Sequence, residues 1–551
     1  MSDMAGMLTW MHGWRGLAVG YSAVAAPLLA GLAHGSAQGR KLLAAPALAL
    51  PLTIVAAGGA SIAHSLWAGA GLGAQPVVQL ATGLLVSIGI GYSSGRLLAR
   101  SNAQETVHHR GALIADARPM SPHARRPVRS AGRIRLAGVL LERADETKHF
   151  KLIGTTGTGK STAIQALLDQ ALARGDRAVI ADPDAGYLRR NLQRARGDVS
   201  LGPFEPGAAK WDLFAEITSV YDVEQLARSL IPDHEGSDRS WRAYARTFFT
   251  AVTRQAHAAG IRDVGELYRL LVIAPSDELR ELVAGTPAQP FLDEHNARMF
   301  DSIRSVTSSA VGTLEHIAQQ QAKRLSVREW VRSGEGAPGV LFIPYRAGQI
   351  AALKSQVSAW MRLAIFEAMN RPEGDRPLWF IIDELDALGQ IDGLKDALAR
   401  LRKFGGRCVL GIQSVAQVSS TYGEGDAHTI VENCGNSLIL RCSASEGGGT
   451  ARFVSQLIGE REVIRTTRSR SYRGGDWLGA RTLSEHFTRE PAVLASEIEQ
   501  MPDFCGYLKL ASRPQWQRVR VEPAGAEQGR SELATAMQAP YTPGPQAEYG
   551  A

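Results

Sequence analysis

Long apolar runs occupy much of the first hundred residues of the chain, at residues 16–33, 42–66 and 76–92. No acidic residue occurs within these runs or between them. A helix needs about 20 mainly apolar residues to cross the hydrocarbon core of a bilayer, and the second and third runs reach or approach that length. The pattern therefore predicts a transmembrane region over residues 1–96, with two or three spans.

Positive charges flank the second and third apolar runs. Arg40 and Lys41 precede the second run, Arg96 and Arg100 follow the third, and only the uncharged segment Trp67–Gln75 lies between the two runs. Because positively charged flanks stay on the cytoplasmic side, these runs predict a hairpin with both ends in the cytoplasm. The first run could be a third span, an interfacial helix or part of a signal sequence. A buried hairpin of a soluble protein is the alternative to all of these.

The pattern changes after the membrane region. Residues 97–130 are polar and rich in Pro and Arg, and predict a basic linker. Over residues 131–210, short apolar runs alternate with apolar positions three and four residues apart, which predicts strands alternating with helices. A strand at His149–Ile153 and a second at Ala178–Ala181 enclose one such helix. This stretch is predicted to be the first part of a nucleotide-binding domain.

Residues 211–337 show mainly helical periodicity and few β-branched runs, which predicts an all-α insertion domain. Within it, Trp241 and Tyr244 lie beside Arg242 and Arg246. Aromatic and basic residues together can form a nucleic-acid face. A core of aromatic residues with solvated arginines explains the same pattern, and the sequence leaves both interpretations open.

Alternation of strands and helices resumes over residues 338–522, the second part of the nucleotide-binding domain. The predicted strands are Gly339–Tyr345, Pro377–Ile382, Cys408–Ile412 and Ser437–Arg441. Such alternation is typical of an α/β fold with a mostly parallel, doubly wound sheet. Residues 465–481 are basic and predict a flexible loop. The tail at 523–551 is rich in Ala, Gly, Pro and Glu and predicts disorder.

Residues 154–161 fit the phosphate-binding loop pattern G-x-x-x-x-G-K-[ST]. Its glycines let consecutive backbone N–H groups point at one phosphate. Lys160 supplies a positive charge at the β- and γ-phosphates, and Ser161 offers a hydroxyl to Mg²⁺. The following helix presents its positive N-terminus to the same anion. The sequence therefore predicts that ATP and Mg²⁺ are bound here. The predicted contacts are Gly154, Thr155, Thr156, Gly157, Thr158, Gly159, Lys160, Ser161 and Thr162.

Polar residues at the ends of later strands complete the predicted site. An apolar strand ends in Asp383 and Glu384, which is the second sequence signature of NTPases with a phosphate-binding loop. Asp383 is predicted to hold the Mg²⁺ shell, and Glu384 to orient and polarise the attacking water. Gln413 follows another strand and is placed to sense the γ-phosphate, although a capping role is the alternative. Asp182 could touch the site or cap a turn.

Composition adds little to this interpretation. The chain has 551 residues, which is enough for several domains. Its net charge of +7 permits a polyanionic partner without requiring one. The four cysteines include no Cys-x-x-Cys pair and show no zinc spacing, so they are predicted to be reduced thiols of a cytosolic compartment.

The order of these elements resembles the coupling proteins of conjugative type IV secretion systems, the TraD/TrwB class. The order in question is the membrane hairpin, the phosphate loop, the helical insertion and the Asp-Glu strand. Two motifs after that strand carry the resemblance further. They are Arg402–Arg407 and Gly411–Ser414, with further matches at Glu146–His149, Leu457–Glu462 and Glu490–Leu494. The resemblance covers about residues 130–520. The first apolar run is extra to the two spans expected of the family, and the predicted periplasmic loop is short.

The resemblance implies a RecA-like motor that is hexameric around a central channel. The motor would be anchored in the bacterial inner membrane with its ATPase domain in the cytoplasm. It would recruit the relaxase–DNA complex, contact components of the type IV secretion channel and drive single-stranded DNA of any sequence through it. Arg402 would be the arginine finger offered to the neighbouring subunit, with Arg400 and Arg407 as the alternatives.

Other classes of protein share parts of this pattern. A septal or chromosome-segregation DNA translocase usually carries more spans and a sequence-reading C-terminal module, neither of which is evident. A membrane-tethered ATPase that moves only protein substrates would have the same motifs. A nucleotide-dependent scaffold without hydrolysis is the third alternative, and Glu384 argues against it.

Overall fold

The computed structural model describes most of the chain. The described residues are 14–34, 39–69, 76–100, 106–116, 132–232, 238–332, 339–373, 376–444, 448–471 and 480–522. The tail predicted to be disordered lies outside these residues.

Strands and helices alternate on either side of a helical stretch between β8 and β9. The helices are α1 (Trp14–His34), α2 (Gly39–Gly69), α3 (Pro76–Arg100), α4 (Arg143–Glu146), α5 (Lys160–Ala173), α6 (Gly186–Asn191), α7 (Val220–Leu230), α8 (Arg239–Ala258), α9 (Val264–Tyr268), α10 (Ser276–Leu282), α11 (Ala297–Val311), α12 (Thr313–Gln319), α13 (Val327–Arg332), α14 (Ile350–Ala368), α15 (Leu394–Leu401), α16 (Val415–Tyr422), α17 (Glu424–Asn433), α18 (Gly449–Ile458) and α19 (Ala495–Glu499). The strands are β1 (Thr106–Gly111), β2 (Ile114–Asp116), β3 (Arg135–Leu136), β4 (Val139–Leu140), β5 (Phe150–Ile153), β6 (Arg177–Pro183), β7 (Val199–Ser200), β8 (Lys210–Trp211), β9 (Arg324–Leu325), β10 (Val340–Tyr345), β11 (Leu378–Ile382), β12 (Gly406–Ile412), β13 (Asn436–Ile439), β14 (Glu460–Ser471), β15 (Ala480–Pro491), β16 (Cys505–Lys509) and β17 (Trp516–Arg520).

The chain divides into two compact units. The N-terminal unit comprises residues 1–109 and 462–488, and the larger unit comprises residues 110–461 and 489–551. In the N-terminal unit, α1, α2 and α3 correspond to the three predicted apolar runs. The stretch Lys41–Ile62 of α2 is the one described helix that is long and apolar enough to cross a membrane. The choice between two and three spans stays a prediction.

The ends of α2 and α3 meet within the N-terminal unit. The Lys41 Nζ atom at the start of α2 donates a hydrogen bond of 2.9 Å to the Leu98 carbonyl oxygen near the end of α3. The positive residues that flank the two helices therefore lie at the same end, as the predicted hairpin requires.

A ten-stranded sheet forms the centre of the larger unit, in the order β2-β17-β16-β13-β5-β12-β11-β6-β10-β7. Neighbouring strands from β13 through to β7 are parallel, whereas β16 runs antiparallel to both β13 and β17. The carboxyl ends of β5, β12 and β11 consequently meet at one edge. Loops that follow these strands can therefore share a site.

Helices bury both faces of this sheet, because successive side chains of a strand point to opposite faces. On one face, Leu152 of β5 belongs to the same buried cluster as Ile164 of α5. On the other face, Ile153 of β5 belongs to the cluster that includes Val357 of α14. The α/β, doubly wound fold predicted from the sequence is confirmed.

The predicted all-α insertion contains α7 to α13. A short parallel pairing of β8 with β9 lies at its base, joining Lys210 to Arg324 and Trp211 to Leu325. The buried Glu216 carboxylate accepts hydrogen bonds from the Trp211 indole at 2.9 Å and from the Val327 amide at 2.6 Å. These contacts attach the first and last segments of the insertion to each other.

Two segments differ from their prediction. Residues 460–471 and 480–491, predicted in part as a flexible basic loop, are strands β14 and β15 of a three-stranded sheet with β1. Within the predicted linker, β2 pairs with β17 at the edge of the large sheet, Ile114 opposite Trp516. Basic residues suggested irregular chain in the first segment, and basic residues together with proline suggested it in the second. Backbone pairing orders both segments instead: β14 lies between the following strand, β15, and the distant β1, and β2 pairs with the distant β17.

Candidate nucleotide-binding site

The phosphate loop (residues 154–161) connects β5 to α5 at the carboxyl edge of the sheet. Gly159 has a φ of 108° and directly precedes the helix. An added Cβ there would lie 2.8 Å from the ring of Phe504. Both the left-handed backbone and this close approach require glycine. The turn aims the first amides of α5, a 14-residue helix, at the predicted phosphate position.

Three neighbouring segments hold the phosphate loop in place. The Gly154 amide donates to the Ile412 carbonyl at 3.0 Å, and the Thr155 amide donates to the Arg441 carbonyl at 2.9 Å. The Phe504 amide donates to the Thr158 carbonyl at 2.9 Å. Arg441 and Phe504 carry no motif, so the sequence provided no signal for their role.

Lys160 is buried behind the phosphate loop. Its Nζ atom donates to the Gly154 carbonyl oxygen at 2.7 Å. Burial lowers the pKa of Lys160, while the negative charges of Asp383 and Glu384 act in the opposite direction. The ammonium group and the two carboxylates therefore lie near one another.

Asp383 follows β11 and is nearly fully buried. Its Oδ2 atom accepts a hydrogen bond of 2.9 Å from the Tyr187 hydroxyl. Its Oδ1 atom is also buried, yet it has no hydrogen-bond partner among the described residues. A buried carboxylate oxygen without a partner is costly unless another group completes it. Oxygen donors are what Mg²⁺ prefers, so the arrangement fits this ion.

Gln413 connects the phosphate loop to Glu384. The Thr156 hydroxyl donates to Gln413 Oε1 at 3.2 Å, and Gln413 Nε2 donates to Glu384 Oε1 at 2.5 Å. Burial raises the pKa of Glu384, and the nearby carboxylates Asp383 and Asp386 raise it further. A carboxylate with a raised pKa is a better proton acceptor at neutral pH.

The three candidate arginine fingers lie near the amino edge of the sheet. Arg402 is exposed in the turn between α15 and β12, and Arg400 is exposed in α15. Arg407 is buried instead, and its Nε atom donates to the Glu146 carboxylate at 3.0 Å. Arg174 pairs with the same carboxylate at 2.7 Å. Arg407 therefore stabilises its own subunit, which leaves two exposed candidates.

Asp182 caps a helix. Its carboxylate accepts the amide hydrogens of Tyr187 at 3.0 Å and Leu188 at 2.7 Å, at the start of α6. Burial raises its pKa to about 6. Of the two roles that the sequence left open, the contacts show the capping one. Sequence reasoning missed Tyr187, because a tyrosine in a short helix has no distinctive pattern.

A phosphate loop after one strand of a parallel sheet, a polar sensor after the neighbouring strand and an Asp-Glu pair after the next strand along define the site of a P-loop NTPase. A family model described as "Type IV secretion-system coupling protein DNA-binding domain" matches residues 133–522. The chain belongs to this family, and the resemblance found in the sequence is confirmed.

Individual relatives agree with this assignment. Coupling protein TraD of Escherichia coli K12 is 29% identical over 382 residues, which cover 68% of this chain and 53% of TraD. A conjugal transfer protein TraG of Escherichia coli is 24% identical over 404 residues, covering 64% of this chain and 62% of TraG. The chain thus spans about half the length of TraD.

Solved structures of the plasmid coupling protein TrwB have the same fold. TrwB in complex with the GTP analogue GDPNP is 29% identical, with a TM-score of 0.66, covering 77% of this chain and 96% of TrwB. TrwB in complex with ADP and Mg²⁺ matches with the same figures. The expected RecA-like fold class is thereby confirmed.

Proposed function

We propose that the chain is a membrane-anchored ATP hydrolase that couples a relaxase–DNA complex to a type IV secretion channel and pumps single-stranded DNA during conjugation. The observation that carries the catalytic part is the hydrogen-bonded connection from Thr156 through Gln413 to Glu384. It joins the loop that grips the phosphates to the residue that activates water. Complexes of TrwB with nucleotides support the assignment.

Each residue has a distinct role in the proposed reaction. Lys160 and the amides of the phosphate loop bind the β- and γ-phosphates of ATP. Ser161 and Asp383 would hold Mg²⁺, which supplies charge neutralisation when bound. Glu384 accepts a proton from the attacking water. Gln413 senses the γ-phosphate and is hydrogen-bonded to Glu384.

The position of Arg402 supports a role in a neighbouring subunit, as the proposed homo-hexamer requires. Arg402 lies at the amino edge of the sheet, and β12, seven residues long, separates it from the carboxyl edge. A strand rises about 3.3 Å per residue, so the two edges are on the order of 20 Å apart. Arg402 cannot reach the phosphate loop of its own subunit, but it can be offered to a neighbouring copy. Ring assembly around a channel would then complete each site.

The proposed partners follow from family membership and charge. Conjugation moves any sequence, so the contacts to single-stranded DNA should be to phosphates and base faces. Many subunits of modest positive charge, +7 each, supply such contacts together. The helical insertion is the candidate surface for the relaxase complex. The segment Lys41–Ile62 would anchor the chain in the bacterial inner membrane.

The test uses the full-length chain in detergent, with ATPase rates and DNA binding measured for several unrelated oligonucleotides across a salt series. We expect DNA to stimulate turnover and binding to be indifferent to sequence. The logarithm of the binding constant should fall linearly with that of the salt concentration, with a slope of several units. Absence of turnover would refute the hydrolase. Turnover without DNA binding by an assembled hexamer would favour the ATPase that moves only protein substrates.

A further inference from the structure

Tyr187 has a position that the structure determines tightly. It is the second residue of α6, which begins shortly after β6 ends at Pro183, and its side chain is buried. The buried Asp182 carboxylate accepts the amide hydrogens of Tyr187 and Leu188 and so fixes the start of the helix. The tyrosine ring therefore projects from a rigid turn and not from a loop with free rotation.

The Tyr187 hydroxyl lies between the two residues predicted to hold Mg²⁺. It donates to Asp383 Oδ2 at 2.9 Å and also interacts with the Ser161 side chain. In this contact the phenol hydroxyl is the donor and the Asp383 carboxylate is the acceptor.

Holding one carboxylate oxygen determines where the other one points. Asp383 Oδ2 is occupied by Tyr187, whereas the buried Oδ1 has no partner among the described residues. Without the tyrosine hydroxyl the carboxylate could rotate about its side-chain bonds. Groups that orient a metal ligand in this way typically change metal affinity by about 10- to 100-fold when they are removed.

We propose that Tyr187 is a positioning residue for the metal site, which holds Asp383 so that its second oxygen is available to Mg²⁺ or to a water bound to it. This inference rests on the proposed nucleotide-binding function. Tyr187 lies in the first turn of α6, outside the known sequence motifs. The proposal makes it part of the site that binds the metal together with the nucleotide.

The test measures how Mg²⁺ affects binding of a fluorescent ADP analogue to the full-length chain in detergent. Tyr187→Phe removes only the hydroxyl. We expect it to raise the half-saturating Mg²⁺ concentration by about tenfold or more. Its affinity for the analogue in EDTA and its melting temperature should equal those of the wild type. In the background of Asp383→Asn, adding Tyr187→Phe should have little further effect on the Mg²⁺ requirement.

The matched control is Tyr422→Phe. Tyr422 is also buried, and its hydroxyl donates to the Gly389 carbonyl at 3.2 Å instead of to Asp383. This variant should keep the wild-type Mg²⁺ requirement.

An unchanged Mg²⁺ requirement in Tyr187→Phe would overturn the proposal. A lower melting temperature together with a weaker affinity for the analogue in EDTA would also overturn it, because these losses indicate a merely structural role. If the wild type itself bound no nucleotide, the proposed function would be wrong and the role of Tyr187 with it.

Discussion

Replacing Gly411 by alanine should push β12 away from β11 at the catalytic end of the sheet. Gly411 lies opposite the end of β11, and an added Cβ would lie 1.9 Å from the Asp383 carbonyl oxygen and 3.1 Å from its Cα atom. Real Cβ atoms essentially never come within 3.0 Å of another heavy atom of this kind. One of the two strands must therefore shift by about 1.1 Å.

The expected magnitude follows from that shift. Overpacking of a buried region costs about 1–3 kcal/mol in the free energy of unfolding. Gln413 and Glu384 each follow the clash closely in sequence, and the hydrogen bond between them is only 2.5 Å long. A displacement of about 1 Å at a catalytic group can reduce the rate about 100-fold. Gly411→Ala should consequently be moderately destabilised and lose about two orders of magnitude in kcat.

Denaturant unfolding and steady-state ATPase rates check this expectation, with Gly425→Ala as the matched control. Gly425 lies in α17, and an added Cβ there would meet nothing within 4 Å. Alanine is compatible with a helical backbone, so the control should keep both its activity and its stability. Wild-type turnover by Gly411→Ala would refute the reasoning, since the two strands could then separate without disturbing the site.

Further predictions concern catalysis, assembly and pH. Lys160→Ala should abolish ATP turnover, and Glu384→Gln should retain ATP binding but lose turnover; wild-type rates in the latter would exclude the water-polarising role. Arg402→Ala should stay folded, and its ATP turnover rate should fall about 10³-fold. Mixing it with Glu384→Gln subunits should restore part of the turnover. Arg407→Ala should instead lose about 1.5–3 kcal/mol in unfolding experiments, because buried Glu146 loses one charged partner but keeps Arg174. Burial lowers the pKa of His149 to about 4, below its unfolded value of 6.5. The contribution of His149 to the free energy of unfolding, about 3 kcal/mol, should therefore be present above pH 6.5 and lost as the pH falls towards 4. Urea titrations at pH 7 and pH 5 can measure part of this loss.

Local chemistry made the phosphate loop predictable. A run of glycines, a lysine and a serine between a buried strand and a helix needs no distant partner to be recognised. The Asp-Glu pair at the end of an apolar strand could be assigned because a phosphate loop precedes it in the chain. Hydrophobic periodicity indicated the strands, the helical insertion and the apolar N-terminal helices, because alternation and helical spacing are local properties of the chain.

The local pattern failed for strands with polar side chains and for the strand whose neighbour lies far away in the sequence. Strands β14 and β15 carry basic residues that suggested a flexible loop, and β2 lies in a segment that looked like a linker. A strand of a small sheet, or one at the edge of a large sheet, is stabilised by backbone hydrogen bonds to its neighbours. Its own side chains can therefore be polar and still be compatible with the fold.

The sequence by itself thus determined the kind of chemistry and the elements that carry it. Only the tertiary structure decided which residues meet. The order β5-β12-β11-β6 places Gln413 between Thr156 and Glu384, and it brings the Tyr187 hydroxyl to Asp383. The contact between Tyr187 and Asp383 joins residues 196 positions apart. Strand order depends on how the whole chain buries its apolar surface, and no stretch of local sequence contains that information.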